Sequence, residues 1–530
     1  MNNYDTEIKN ETNSSIRYRR KLFCRGYLFT DAKSIDLEQF PFYGLWKKTS
    51  IKDYTLVTHP DVQSNITSFD DTVVTLIGHA YNPFDGVTDE KMIVEKLSHL
   101  YAFDYSRFLD YLDELTGVFV VVVVEGQDLY AVQDCGGQRM LYYGNVNGNT
   151  VLTSAPQLAA DVFGLKTDIN VERLLNSKGY YRGSGFLPGN ISPFKELKRL
   201  GPNTCLRSVN GVFNVERIYP RAERTEFITD EEKNSAIDSM HNVLSNNIAL
   251  TVKKWNRAAL SLTGGMDSQT SFANASDYWN SIYCYSFISK ESERLDADAA
   301  KEICNSLVIP HHLYIIPENN NDIEDYDILQ KILEHNTSYT CKLHDNEKRK
   351  YIYLERLNDF DIEIKSDMSE VGRAYTERKY HKVKIPKEMS ARHLTITQGR
   401  YFLEPWCFRY ADKCYQEFMN ETGLTGDING YSMHDLAYWE VRMGSWAATS
   451  FASQEYIHEI TIPYNNRKLL DMFLRFPEID RKNDIPHLML MRKGNEKVSD
   501  LNIHVKDSYM GKKRMIIETL YYYYATIIGF

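Results

Sequence analysis

The chain has 530 residues, 43% hydrophobic and 25% charged, with a formal net charge of −10 from 62 basic and 72 acidic side chains. That length leaves room for two or more domains, each with its own core. The acidic balance argues against a nucleic-acid groove as the main surface, and the longest apolar stretches, Val118–Val124 and Leu520–Phe530, are too short to span a bilayer.

Residues 1–20 read as a polar N-terminal extension with no signal-peptide character. From residue 21 to 219 the pattern predicts short strands, at Lys21–Phe29, Thr72–Gly78, Gly117–Glu125, Asp128–Gln133, Arg139–Gly144 and Thr150–Ser154. Two helical stretches interrupt them, Thr88–Leu100 and Tyr105–Leu115. Val118–Val124 is apolar at every position, so its strand should be covered on both faces. Together these predict a layered α/β sandwich of antiparallel pairs. Residues 220–232 are charged and polar and read as a linker.

Residues 233–530 have a different texture. After a helix over Asp230–Asn256, single strands alternate with helices: strand 258–262, helix 268–279, strand 281–288, helix 296–307, strand 311–316. That alternation predicts a parallel sheet wound with helices, followed by a mainly helical extension. Eight cysteines (24, 135, 205, 284, 304, 341, 407 and 414) are scattered without metal-ligand spacing. They argue for a reducing, cytoplasmic compartment.

The most informative segment is Ala258–Phe272: an apolar strand, a Gly-Gly turn, an acid, a hydroxyl and a helical run. Gly264 and Gly265 are expected to turn the chain tightly and present backbone N–H groups. The following helix points its positive end at the same spot. Ser261, Thr263 and Ser268 supply hydroxyls, and Asp267 suits a Mg²⁺ ion carried by phosphates. No Gly-Lys-Ser/Thr follows, so this is not a Walker A loop.

The segment Ser261-Leu-Thr-Gly-Gly-Met-Asp-Ser268 resembles the phosphate loop of the PP-loop ATP pyrophosphatases. Further stretches extend the resemblance to the asparagine synthetase family: Tyr283–Ile288, Asp296–Cys304, His311-His312, the loop Ser366-Asp-Met-Ser-Glu370, His458–Pro463, and His504-Val-Lys506. In the first half, Val74–Asn82, Leu115–Val120 and Asp134–Tyr143 resemble strands and a turn of that family's glutaminase domain. The resemblance implies a fold in two parts. The first is an N-terminal-nucleophile (Ntn) hydrolase-like αββα sandwich. The second is a parallel-sheet PP-loop domain with a helical extension.

It also implies an ATP- and Mg²⁺-dependent ligase that joins a carboxylate to an amine through an acyl-adenylate, releasing AMP and pyrophosphate. Asp267 is then the first metal-side acid, and the second is Glu370 or Asp367, with Glu370 favoured and Ser366 and Asp367 beside the nucleotide; Lys506 matches the late lysine that stabilises the second step best, with lysines 493, 497, 512 and 513 as competitors. For Glu370, a salt bridge to Arg373 is the competing structural reading. The glutaminase chemistry is not expected to carry over. That chemistry needs a cysteine at a free N-terminus; here Cys24 follows the polar extension, and the family's glutamine clamp is missing. The expected partners are a small-molecule or peptide carboxylate and ammonia or an organic amine, with no nucleic acid and no membrane; a homodimer fits the family. An intramolecular lactam-forming cyclase, a tRNA-modifying PP-loop enzyme and a non-catalytic ATP-binding subunit are the alternatives. Two further readings concern the helical region. His434, His458 and His487 are too widely spaced for a metal set, and Trp439–Trp446 is either core or a wall of the acceptor pocket.

Overall fold

A computed structural model describes residues 2–182, 185–380, 383–399, 404–505 and 512–527. The first half holds two six-stranded antiparallel sheets stacked face to face. One runs in the order Leu197–Arg199, Tyr142–Val146, Asn149–Thr153, Tyr27–Thr30, Tyr54–Thr58, Lys47–Ile51. The other runs Val212–Arg217, Thr204–Val209, Asp128–Gln133, Thr116–Glu125, Thr72–Tyr81, Ser64–Phe69.

The Val118–Val124 run explains the layering. Its alternate residues belong to different cores. Phe119, Val121 and Val123 pack against Ile93, Leu97 and Phe108 of the helices Glu90–Phe103 and Tyr105–Glu114. Val120, Val122 and Val124 pack against Tyr27, Phe29 and Leu56 of the facing sheet. A strand with period 2 and β-branched side chains on both sides is thus buried twice. The outer face of the first sheet, through Leu28, Val57 and Val151, is covered by Leu158, Leu329 and Ile332. The result is a helix–sheet–sheet–helix sandwich.

The expected first strand is shorter than the sequence suggests. Ile16–Lys21 is a helix, and Phe23 and Arg25 take left-handed backbone (φ 48° and 56°), so the strand begins only at Tyr27. The polar extension itself is two helices, Asn2–Ser14 and Ile16–Lys21. Ile8, Leu22 and Phe23 anchor this region in a core, and Arg17 pairs with Asp325 (2.7 Å) and Glu355 (2.9 Å).

The second half is built on a five-stranded parallel sheet in the order His312–Ile315, Ile282–Ile288, Ala258–Ser261, Ile362–Ile364, Glu459–Thr461. The helix Asp230–Lys254 leads into it. Thr229 and Glu232 form a reciprocal cap at its start, and Lys253 and Lys254 sit in its last turn. Cap and charges both favour the helix, the cap by about 1 kcal/mol. Helix Met266–Asn274 starts two residues earlier than expected, and Ser276–Ser281 is a 3₁₀ turn. The first strand in sequence lies at the centre of the sheet. The crevice beyond its carboxyl end is where open α/β sheets place ligands. Among the described residues, no helix is long and apolar enough to cross a membrane.

Candidate functional site

A cavity of about 330 Å³ opens at that crevice. Of the residues singled out from sequence, Ser261, Thr263, Gly265, Asp267, Ser268, Ser366, Asp367 and Glu370 line it. They come from two segments a hundred residues apart. The pairing of strand Ala258–Ser261 with strand Ile362–Ile364 brings them together.

The turn is held by its own hydroxyls. Thr263 Oγ1 and Ser268 Oγ share a hydrogen bond of 2.8 Å, and the Gly265 N–H donates to Thr263 Oγ1 at 3.1 Å. Neither glycine has positive φ. Gly264 is needed for space. A Cβ there would lie 2.3 Å from Val505 Cγ2 and 3.0 Å from Ala299 Cβ. Gly264 does not line the cavity; its carbonyl accepts from Val505 N–H (3.0 Å) and Gln269 Nε2 (2.9 Å). At Gly265 a Cβ would meet only Thr263 Oγ1, at 3.2 Å.

Asp267 opens the helix Met266–Asn274 and is engaged on both oxygens. Ser369 Oγ donates to Oδ1 and Arg373 Nη1 to Oδ2 at 2.8 Å. Arg373 also pairs with Asp484 at 2.8 Å. The competing reading of Glu370 as Arg373's partner is therefore displaced: Arg373 turns to Asp267 and Asp484. Glu370 Oε2 and Ser366 Oγ are buried without a hydrogen-bond partner. Burial, then the charges of Asp267 and Asp367, push the Glu370 carboxyl well above its ordinary value. Asp367 is raised by burial too, with Lys365 pulling the other way and Asp267 adding to the rise.

Five acids line the cavity, Asp267, Glu293, Asp296, Asp367 and Glu370, and Glu370 has an orphaned oxygen. Oxygen donors of this kind fit a hard divalent cation such as Mg²⁺, and a positive ion there would relieve the mutual repulsion of Asp267, Asp367 and Glu370.

The loop that carries two of these acids has unusual backbone. Met368 takes φ 74° and Ala374 φ 45°. Left-handed backbone at such residues is uncommon and persists where surroundings hold it. Here the surroundings belong to the other half. Met368 is fully buried, and a Cβ at Gly136 would lie 2.7 Å from its Cε. Gly136 N–H in turn donates to Asn465 Oδ1 (2.7 Å), and Asn465 Nδ2 donates to Asp134 Oδ1 (2.9 Å). The Asp134–Arg139 turn of the sandwich thus presses on the carboxylate loop.

Sequence reasoning missed Lys365, Glu293, Asp296 and Ser286 on the cavity wall, and the buried His487 at 3.7 Å from Asp267. Lys365 follows the last residue of its strand, a position that open sheets use for ligands, and that signal was legible. It pairs with Glu363 at 2.6 Å, and His458 Nε2 lies 2.7 Å from the same carboxyl. Burial alone would raise Glu363; Lys365 and His458 overcome it and hold the group far below the usual range. The three histidines go separate ways: His458 to Glu363, His434 to the Pro386 carbonyl (2.8 Å), His487 beside Asp267. Trp439 lies in the core and donates to the Cys135 carbonyl at 2.9 Å, and Glu440 is clamped by Arg217 at 2.7 and 2.8 Å. Lys506 lies outside the described residues.

Cys24 sits in a second, small corner of about 40 Å³, three residues before the strand Tyr27–Thr30. Burial pushes its thiol up, and Arg25 Nη1 lies 3.4 Å from Sγ. Cys24, His59 and Asp61 are near one another. However, His59 is tied on both nitrogens, Nε2 to the Arg20 carbonyl (3.0 Å) and Nδ1 to the Asp61 N–H (3.1 Å), and burial holds it neutral.

No protein-family model matches the sequence, and no curated protein matches it. Among solved structures, an allosteric regulatory enzyme of purine biosynthesis is similar over 65% of this chain and 90% of its own, at 12% identity and a TM-score of 0.25. A glutamine phosphoribosylpyrophosphate amidotransferase from B. subtilis, complexed with ADP and GMP, is similar over 64% and 91%, at 11% identity and a TM-score of 0.24. Likeness at that level assigns neither fold nor activity.

Proposed function

We propose that the protein is an ATP-dependent ligase of the asparagine synthetase type, forming an amide through an acyl-adenylate. Its PP-loop cavity lies on the parallel sheet, and its Ntn-like sandwich has lost glutaminase activity. The observation that carries this reading is the convergence of Asp267, Asp367 and Glu370 on a cavity closed by the Thr263–Ser268 turn.

In this reading Asp267, Asp367 and Glu370 would hold Mg²⁺, which would supply positive charge for a leaving pyrophosphate. The start of helix Met266–Asn274 favours the phosphates through its positive end. Ser369 and Arg373 keep Asp267 oriented. Lys365 brings positive charge to the rim of the cavity. Lys506 follows Val505, which is anchored to the Gly264 carbonyl, and it is the candidate to stabilise charge on the acyl carbonyl during attack by the amine. The nitrogen comes from ammonia or an organic amine, because Cys24 is half-buried and joined to a packed upstream segment.

The test is pyrophosphate release from ATP and Mg²⁺ with mixed pools of carboxylates and amines, alongside calorimetry of ATP binding. Lys506→Ala should bind ATP and lose turnover; unchanged turnover dismisses the assignment. A second reading is favoured by one observation, the occupation of both Asp267 oxygens by Ser369 and Arg373. In that case the chain binds ATP without turning it over, and calorimetry is positive while every pool fails.

A further inference from the structure

A second cavity, of about 640 Å³, lies elsewhere in the C-terminal half. It is lined by the short helix Tyr375–Lys379, the start of helix Met433–Ala437 and the helix Glu478–Lys482. Three side chains on its wall have buried polar atoms with no hydrogen-bond partner: Glu377 Oε2, His434 Nδ1 and Arg481 Nη1. His434 and Arg481 are 6% and 2% exposed. Each such group left alone costs about 1–3 kcal/mol, and three around one cavity ask for a ligand rather than for packing.

Their demands are complementary. Arg481 uses Nη2 on Asp435 (2.7 Å) and Nε on the Phe476 carbonyl (3.1 Å), so Nη1 is left as a donor in want of an acceptor. His434 Nε2 faces the Pro386 carbonyl, which can only accept; Nε2 therefore carries the proton. Burial lowers the histidine's proton affinity and keeps it neutral, which makes Nδ1 an acceptor. Glu377 offers a second acceptor. Burial and the neighbouring Asp435 push it up to about 8, so a cation beside it would restore its charge. The lining also includes Lys384, Lys387, Asp427 and Glu478, so it carries charges of both signs.

We infer that this cavity binds a small zwitterion of the free amino acid type, its carboxylate on Arg481 and its ammonium on Glu377 and His434. The site is separate from the triphosphate cavity but shares its supports. Arg481 stands three residues before Asp484, which Arg373 and Arg378 clamp, and Arg373 reaches Asp267.

The test is calorimetric titration of the full chain with the twenty amino acids one by one, with propionate and propylamine as single-charge controls. At least one amino acid should bind at least tenfold more tightly than either control. Glu377→Gln and His434→Gln should each weaken it about tenfold while ATP binding is unchanged. Hydrogen exchange on the unmodified chain gives a variant-free check: the bound amino acid should protect residues 375–379 and 478–484. The inference is overturned if no amino acid binds, if a control binds as well, if protection falls elsewhere, or if folded variants bind as the parent does. ATP binding read in the same experiment keeps this outcome distinct from failure of the ligase reading.

Discussion

The thiol corner and the carboxylate corner make an instructive pair. Around Cys24 the ion pairs and backbone groups are largely partnered, although Arg25 Nε, Arg139 Nε and Gln138 Oε1 are buried without a partner. Arg139 holds Glu455 with two bonds of 3.0 and 2.9 Å, Arg25 donates to the Glu455 carbonyl, and Asn336 Oδ1 accepts from the Phe23 N–H at 2.7 Å. Around Glu370 a carboxylate oxygen and a hydroxyl are buried alone, and the cavity is roomy. Both corners hold residues that a motif search would flag. Both have unmet polar atoms, but only the carboxylate corner, about 330 Å³ against about 40 Å³, has room for a ligand to meet them.

The sharpest way to break this comparison is to remove the acids. Asp267→Asn and Glu370→Gln should each cut pyrophosphate release by about a hundredfold or more, the scale of losing one well-placed electrostatic contact; an Asp267→Asn protein as active as its parent sinks the assignment. Next in size is the spacing under the turn. Gly264→Ala drives a methyl to within 2.3 Å of Val505 Cγ2. It should lower stability by about 1–3 kcal/mol in urea titration and weaken ATP binding; a neutral result would show that Val505 moves aside freely.

A smaller effect concerns the seam between the halves, where His79 meets Glu459 at 2.8 Å. Burial would raise the Glu459 carboxyl, but His79 overcomes it and holds the group at about 2, below its ordinary 4.5. The folded-state value lies beneath the unfolded one, so this stabilisation is complete above pH 4.5 and lost as pH falls toward 2. Because the side chain is a quarter exposed, Glu459→Gln should remove only about 1–2 kcal/mol of the acid-dependent stability. Urea midpoints that fall in parallel for parent and variant across that range would refute the pairing. The smallest expected effect is at the thiol. Cys24→Ala should leave ligase turnover unchanged, and neither protein should release glutamate from glutamine; measured glutamate release by the parent reverses the view of that corner.

Much of this architecture was legible because its signals are local. Strand Asp128–Gln133 matches its predicted bounds, and the all-apolar Val118–Val124 run announced a strand buried on both faces. Strand Ala258–Ser261 and the acid that follows it were readable for the same reason. What escaped depends on distance or on neighbours. Lys21–Phe29 reads as strand, but the left-handed residues Phe23 and Arg25 break it, and nothing in their identities warns of that. Strands Lys47–Ile51 and Tyr54–Thr58 are short and carry little alternation. The polar first residues fold because Ile8 and Arg17 find partners more than three hundred residues away. His487, and the cavity shared by Glu377, His434 and Arg481, are assembled from separate segments and leave no pattern along the chain.

Met368 carries a lesson about divisibility. Every acid lining the cavity belongs to the C-terminal piece, so residues 233–530 look sufficient by themselves. Yet the thioether that shapes their loop is wedged beneath Gly136 of the sandwich. Severing the molecule at residues 220–232 would withdraw that wedge's anvil, and the isolated piece would keep every acid while losing the curvature that aims two of them.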